Sequence, residues 1–426
     1  MLLRFACKNF RSLRDEQELS LIATAGHEHE ENLIPAPSIK GRVVRSVAVY
    51  GANASGKTNV IQALRFFDWM IETSHTKGGP DSKIPRDRFV LDENGDDPSY
   101  FEADLLLEGQ RFTYGFEIND VEVIREWLYT YPSGKKVIWY ERADKNPILF
   151  GRSLTGKNRV IESLTRKNSL FLSTAAQNNH EQLSPIFKWF EKGFHRIIPE
   201  RRQPLSTAEF CTQNPQMVDN VKSLLKFADL GIVDFAISEE EVDPGMKEIF
   251  GALVKISKSN NGGVFDPPVT MPKIELIHQG AALKRYKIEA MEESSGTIAY
   301  FSILGPVLEA LSKGTVLLID ELESSLHPSL ATEIVRLFND PKANCNDAQF
   351  IFTTHEANLL NFDILRRDQI WFTEKDNEGA TSLYPLSDFS IRSDYNIAKG
   401  YLQGRFGAIP FLNDSFLKDI ERLACE

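Results

Sequence analysis

The 426-residue sequence predicts an α/β fold: a mixed sheet with a phosphate-loop core, an antiparallel β lobe and a helical insertion. Three observations predict it. An apolar run, Val43 to Tyr50, leads into Gly51-Ala52-Asn53-Ala54-Ser55-Gly56-Lys57-Thr58, and a helical pattern from Val60 to Phe67 follows. Two later apolar runs, each short enough to be a buried strand, end in Asp320-Glu321 and in His355. Between these regions, alternating runs separated by short turns read as an antiparallel meander.

A hydrophobic content of 42% and a charged content of 26% are those of a soluble globular protein. The length calls for more than one structural unit. A net charge of −11 excludes a global basic footprint. Nucleic acid stays possible through a local patch, and Arg196, Arg201 and Arg202 form a small basic cluster. Such a charge run is usually a solvated face; the other reading is a nucleic-acid or partner contact. No stretch approaches the length of a membrane-spanning helix, and the N-terminal residues are too short and interrupted for a signal peptide. Cys7, Cys211, Cys345 and Cys425 lie far apart without paired spacing, which argues against zinc and disulfides and fits a reducing cytoplasm.

In chain order, Leu3, Phe5 and Cys7 share one face of an opening strand, and Leu19, Leu21 and Val43 to Val49 continue the apolar theme. His27 and His29 lie in a polar loop where nothing nearby completes a metal-ligand set. After the first helix, a loop from Thr76 to Pro98 precedes strand-like runs at Tyr100–Leu107, Arg111–Ile118, Val121–Tyr129 and Lys136–Tyr140. From Ile161 to Pro272 the pattern is mostly helical, most clearly at Leu183–Phe194 and Met217–Leu230. Alternation returns at Lys273–Ile277 and Lys284–Ala290. No heptad pattern persists, so no long coiled-coil arm is expected. These shifts divide the chain into residues 1–160, a mainly helical insertion over 161–270, and 271–426.

The octet is a complete G-x-x-x-x-G-K-[ST] match in the strand–loop–helix setting that the motif needs. Its glycines let the backbone wrap closely around phosphate oxygens, and N–H groups at the helix start point at the anion. Gly51, Asn53, Ala54, Ser55, Gly56, Lys57, Thr58 and Asn59 are therefore the expected ATP-binding residues. Lys57 reaches the β- and γ-phosphates, and the Thr58 hydroxyl ligates Mg²⁺. The strand ending at Asp320 delivers a second magnesium ligand, and Glu321 is placed as general base for the attacking water. Glu293-Ser294-Ser295-Gly296-Thr297 opens a helical stretch as another anion-receptive N-terminus. His355, ending an apolar strand, is the expected γ-phosphate sensor.

Together these pieces resemble the ABC-type ATPase heads of the SMC/RecF/OLD class, over about residues 1–140 and 271–400. The resemblance implies that Ser294, Ser295 and Gly296 form a degenerate signature capping the ATP held by a second copy, in a homodimer or higher homo-oligomer. Glu323-Ser324-Ser325-Leu326-His327-Pro328 resembles the D-loop along that interface. Gln177 is a candidate for the glutamine linking nucleotide to arm, and equally a polar helix cap. A further resemblance is to prokaryotic AAA-type ATP-binding proteins encoded beside RloB-like or other effectors. It rests on Phe10-Arg11-Ser12-Leu13, the 51–59 loop, the Asp320–Pro328 segment, Asp368-Gln369-Ile370-Trp371-Phe372 and Gly404-Arg405-Phe406-Gly407-Ala408-Ile409-Pro410. It implies abortive-infection or antiphage defence, with the ATPase sensing infection or controlling a separately encoded effector such as a nuclease. Unlike the OLD nucleases, the sequence leaves no room for a following Toprim domain, so nuclease activity in this chain is not expected. Two other functions fit the same motifs: a DNA-repair ATPase of RecF/SMC type, and a nucleotide-gated scaffold with little hydrolysis.

Overall fold

The computed structural model describes residues 1–92, 97–143, 146–197, 204–243, 245, 248, 270–360, 364–392 and 395–410. The chain divides into two compact units. The first comprises Met1–Ile198, Ala310–Glu323 and Ala331–Glu426; the second comprises Pro199–Glu309 and Ser324–Leu330.

Two sheets build the first unit, and the fold is α/β. One sheet is antiparallel and seven-stranded, in the order Leu149–Phe150, Val137–Ala143, Val123–Thr130, Gln110–Ile118, Ser99–Leu107, Leu2–Lys8 and Gln17–Ser20. The four meander strands thus lie where alternation placed them, and they pair as neighbours in sequence order. Against this lobe packs the helix Lys57–Thr73. Its Phe67 is fully buried and meets the rings of Phe5, Phe116 and Phe190 at 5.6, 5.3 and 5.5 Å. Aromatic rings at such separations add edge-to-face and stacking attraction to the area they remove from water. The helix that carries the phosphate loop at its start is in this way fixed along its length.

A buried acid ties a second helix to the same lobe. Glu126 has no solvent exposure and accepts hydrogen bonds from the hydroxyls of Tyr114 (3.1 Å) and Tyr140 (2.7 Å). It also accepts the backbone N–H groups of Phe171 and Leu172, at 2.6 and 3.0 Å, which open the helix Phe171–Gln177. Four donors compensate a carboxylate that would otherwise be costly to bury.

The other sheet is mixed, in the order Phe194–Ile197, Val316–Ile319, Gln349–Thr353, Ser46–Gly51, Ile370–Lys375 and Thr381–Pro385. Its first five strands run parallel and the last antiparallel. Every residue of the three strands Val316–Ile319, Gln349–Thr353 and Ser46–Gly51 is buried, as expected where both faces are covered. The apolar run Val43 to Tyr50 is not one strand. It breaks at Arg45, which is 4% exposed and paired with Asp347 at 2.9 Å. Phe406 of the Gly404–Pro410 segment stacks on Phe372 of the strand beside the phosphate-loop strand at 5.7 Å, and Tyr401 of the preceding helix meets Tyr50 at 5.6 Å.

In the second unit, helices Leu205–Gln213 and Val218–Phe227 accompany an antiparallel sheet of Ile232–Glu241, Thr270–Gln279 and Arg285–Glu289. The sequence from Ile161 to Pro272 was expected to be mostly helical, yet it contains the strands Phe194–Ile197 and Ile232–Glu241. Ile232-Val233-Asp234-Phe235-Ala236-Ile237 lacks strict alternation, and the strand is covered on only part of one face, so its period is weak. The basic cluster Arg196, Arg201 and Arg202 has two members outside the described residues, and no side chain of the three is described. The helix Ser295–Lys313 contains Pro306, which cannot donate to the preceding turn. Thr207 bridges the adjoining pair: its hydroxyl donates to the Phe301 carbonyl at 2.5 Å and accepts the Gly305 N–H at 2.9 Å. Among the described residues no helix is long and apolar enough to cross a membrane.

Candidate nucleotide site

The parallel strands of the mixed sheet end at one edge. Pairing of Thr353 with Val49 and of Ile319 with Phe352 brings Gly51, Asp320 and Thr354 to the same level. Open α/β sheets bind ligands at this carboxyl edge. The strand Gln349–Thr353 lies between the phosphate-loop strand and the acidic strand, so its last residues face both.

The loop 51–58 is held in shape from several sides. A Cβ on Gly51 would lie 2.3 Å from Thr373 Oγ1, and one on Gly56, whose φ is +108°, would lie 2.2 Å from Thr381 Oγ1. Both positions therefore require glycine. Ser55 is buried and shares a 2.7 Å hydrogen bond with the Thr373 hydroxyl, while Thr381 Oγ1 donates to the Ser55 carbonyl at 2.8 Å. Asn59 Nδ2 donates to Ser12 Oγ at 2.6 Å, and Ser12 and Thr381 share a hydroxyl hydrogen bond of 2.7 Å. Asn53 and Ala54 form the exposed tip, where Ala54 holds a left-handed φ of 63°.

Lys57 is 6% exposed, and its Nζ donates to the carbonyls of Gly51 (2.8 Å) and Ala52 (3.0 Å). Burial lowers its pKa to about 8, against the opposing pull of Glu323, Asp320 and Glu321. Thr58 Oγ1 donates to Asp320 Oδ1 at 3.3 Å, and Thr353 Oγ1 donates to the same oxygen at 2.6 Å. Thr353 also accepts the Glu321 N–H at 2.7 Å. It thereby fixes both acids. Glu321 itself is exposed and holds a left-handed φ of 49°, which costs about 1–2 kcal/mol for a residue with a Cβ. Strain of this kind collects at functional sites. His355 is exposed beyond the same strand, and its backbone N–H donates to Glu323 Oε1 at 2.5 Å. Partial desolvation and the Lys57 charge hold its imidazole below the ordinary histidine range.

The first unit thus brings together Gly51 to Asn59, Asp320, Glu321 and His355, and Ser294, Ser295 and Gly296 belong to the second unit. There Ser294 Oγ accepts the Thr297 N–H at 3.1 Å, capping the helix, and shares a 2.9 Å bond with Thr297 Oγ1. A Cβ on Gly296 would lie 2.9 Å from the Ser325 carbonyl, so the signature-like turn packs against the D-loop-like segment. Gln177 is the exposed last residue of its helix.

Sequence reasoning gave no role to Thr353, Thr373, Thr381 or Ser12. The available signal was a hydroxyl residue next to an already suspected element, as at Thr353 before His355 and Ser12 in Phe10-Arg11-Ser12-Leu13. For magnesium, Thr58 and Asp320 present hard oxygen donors 3.3 Å apart. That donor set fits Mg²⁺, which takes one or two protein oxygens and fills its remaining positions from phosphates and water. Among the described residues no group of three or more His, Cys, Asp or Glu forms a metal cage.

A loop cradle opening a helix, with a hydroxyl and an acid converging beside it, defines the nucleotide-binding class of α/β proteins. The chain belongs to the family described as "AAA domain, putative AbiEii toxin, Type IV TA system", which matches residues 46–361. The site has the parts of an ATP-binding ATPase domain. Among solved structures, the crystal structure of the SmcHead bound to the C-winged helix domain of ScpA aligns with 12% identity and a TM-score of 0.38. The alignment covers 90% of this chain and 97% of that one. No curated protein matches the sequence.

Proposed function

We propose that this protein is an ATP-hydrolysing switch in which two copies close over two nucleotides and reopen after hydrolysis. The observation that carries the reading is the convergence of Thr58 and Thr353 on one oxygen of Asp320, beside the buried Lys57. Lys57 neutralises the β- and γ-phosphates, and the N–H groups of the 51–59 loop cradle them. Thr58 and Asp320 hold Mg²⁺, which supplies charge neutralisation to the transferring phosphoryl group when bound. Glu321 accepts a proton from the attacking water as its oxygen bonds to the γ-phosphorus and the bond to the β-phosphate oxygen breaks. His355 donates to the γ-phosphate. Ser294, Ser295 and Gly296 of the opposite copy cap it. When Thr297 Oγ1 donates the hydroxyl bond that the two share, the Ser294 oxygen accepts both contacts and its proton is left to offer an anion.

A site divided between copies couples ATP to association, because neither half encloses the γ-phosphate. The family's toxin-type description supports a defence role. In that role the cycle controls a separately encoded effector, a nuclease or RloB-like protein, in the cytoplasm during abortive infection.

Glu321→Gln tests the cycle. The variant is expected to bind a fluorescent ATP analogue as wild type does, to lose phosphate release about a hundredfold or more, and to accumulate as an ATP-dependent dimer. Unchanged phosphate release would remove Glu321 from the chemistry. Lost hydrolysis with intact biological activity would favour the nucleotide-gated scaffold.

A further inference from the structure

Two residues beyond Glu321, Glu323 carries a carboxylate to which the proposed cycle gives no role. Its two oxygens are in different states. Oε1 accepts the His355 backbone N–H at 2.5 Å. Oε2 is shut off from solvent and has no hydrogen-bond partner among the described residues. A carboxylate oxygen denied both water and a donor is an expensive arrangement, costing about 1–3 kcal/mol or more. Such an orphan calls for a role. Its surroundings indicate one. The Glu323 charge acts on Lys57 more strongly than that of either Asp320 or Glu321, and it also acts on His355. The bond to the His355 N–H and the pull on Lys57 put Glu323 beside the nucleotide site, and it is the last residue of the first unit before Ser324 begins the D-loop-like segment.

We propose that Glu323 is a positioning residue of the nucleotide site: Oε1 holds the His355 turn, and Oε2 receives a donor that enters with magnesium-bound nucleotide. This rests on the nucleotide reading above. The donor chemistry is water ordered by the cation and the γ-phosphate, since the phosphates themselves offer no proton at neutral pH. The arrangement ties the γ-phosphate sensor, through one side chain, to the water shell of the metal. It would report at Ser324 whether that shell is complete.

Binding of a fluorescent ATP analogue, measured with magnesium and with EDTA, tests this on the full chain. For Glu323→Gln, the amide oxygen still accepts from His355, and the second position no longer accepts. The affinity gained on adding magnesium, measured as the ratio of affinities with magnesium and with EDTA, is expected to fall about tenfold, the loss of one charge-assisted hydrogen bond. Glu323→Ala loses both functions, so its turnover is expected to fall further than that of Glu323→Gln. A Glu323→Gln protein with the full magnesium gain overturns the proposal. Equal losses with and without magnesium also overturn it, because they mark general support of the loop. Failure of the wild-type chain to bind the analogue overturns the nucleotide reading itself, which separates the two outcomes.

Discussion

The phosphate loop and the signature-like turn are both helix starts with small and hydroxyl residues, yet they are built differently. Residues 51–59 are braced by side chains from distant parts of the sequence: Thr373 on Ser55 and Thr381 on the Ser55 carbonyl, from strands over three hundred residues away, and Ser12 on Asn59, from a turn 47 residues away. Their Lys57 is buried and already bonded to the loop carbonyls. At the signature-like turn, Ser294 and Ser295 are exposed, Ser294 caps its own helix by accepting the Thr297 N–H, and the neighbouring Glu293 meets His278 at 2.5 Å. One half is preorganised for phosphate. The other has two exposed serines, one of them bonded within its own turn.

Breaking each half therefore has different consequences. Lys57→Ala is expected to weaken nucleotide binding about a hundredfold or more, since it strips the buried cation from a site built around it; a titration with fluorescent ATP analogue checks this. Gly51→Ala places a Cβ 2.3 Å from Thr373 Oγ1, so it is expected to destabilise the chain by about 2–3 kcal/mol, visible as a lower melting temperature in nucleotide-free protein.

Affinity for ATP is expected to depend on pH through Lys57. Burial lowers its pKa to about 8 in the empty site, and a bound triphosphate raises it. The protonated form binds. Affinity should then be flat below pH 8 and fall by up to about tenfold per pH unit above it, with proton uptake on binding, until the bound-state pKa is reached. Calorimetry in buffers of different ionisation enthalpy measures that uptake. A flat profile from about pH 7 to about pH 9.5 would show that Lys57 is not the titrating cation. The smallest effect has the opposite sign. Ala54→Gly relieves a left-handed φ of 63° at the exposed loop tip and is expected to stabilise the protein by about 0.5–1 kcal/mol in thermal unfolding.

The same contrast explains what was legible beforehand. The octet, the acids after Ile319 and His355 could be read because each is a short motif at the end of an apolar run, and strand ends lie at a common edge once strands are parallel. The bracing residues could not. Ser12, Asn59 and Thr381 meet only after the chain has closed a loop of over three hundred residues, and a lone serine or threonine carries no periodic signal. The strand Ile232–Glu241 escaped notice because its exposed end, Ser238 to Glu241, has no apolar face to repeat. Arg45 interrupts an apolar run in sequence and in structure, but only the fold supplies the Asp347 that allows it to be buried.

The central claim is that one site takes its halves from two copies, and mixing two inactive variants tests it most directly. Lys57→Ala removes the phosphate-loop half, and Ser294→Ala removes the signature half. Each alone is expected to lack ATP turnover. In a mixed dimer, one site pairs the intact loop of the Ser294→Ala chain with the intact signature of the Lys57→Ala chain, so phosphate release should return on mixing. Two pure, inactive variants that stay inactive in mixtures shown by mass to exchange subunits would contradict the account.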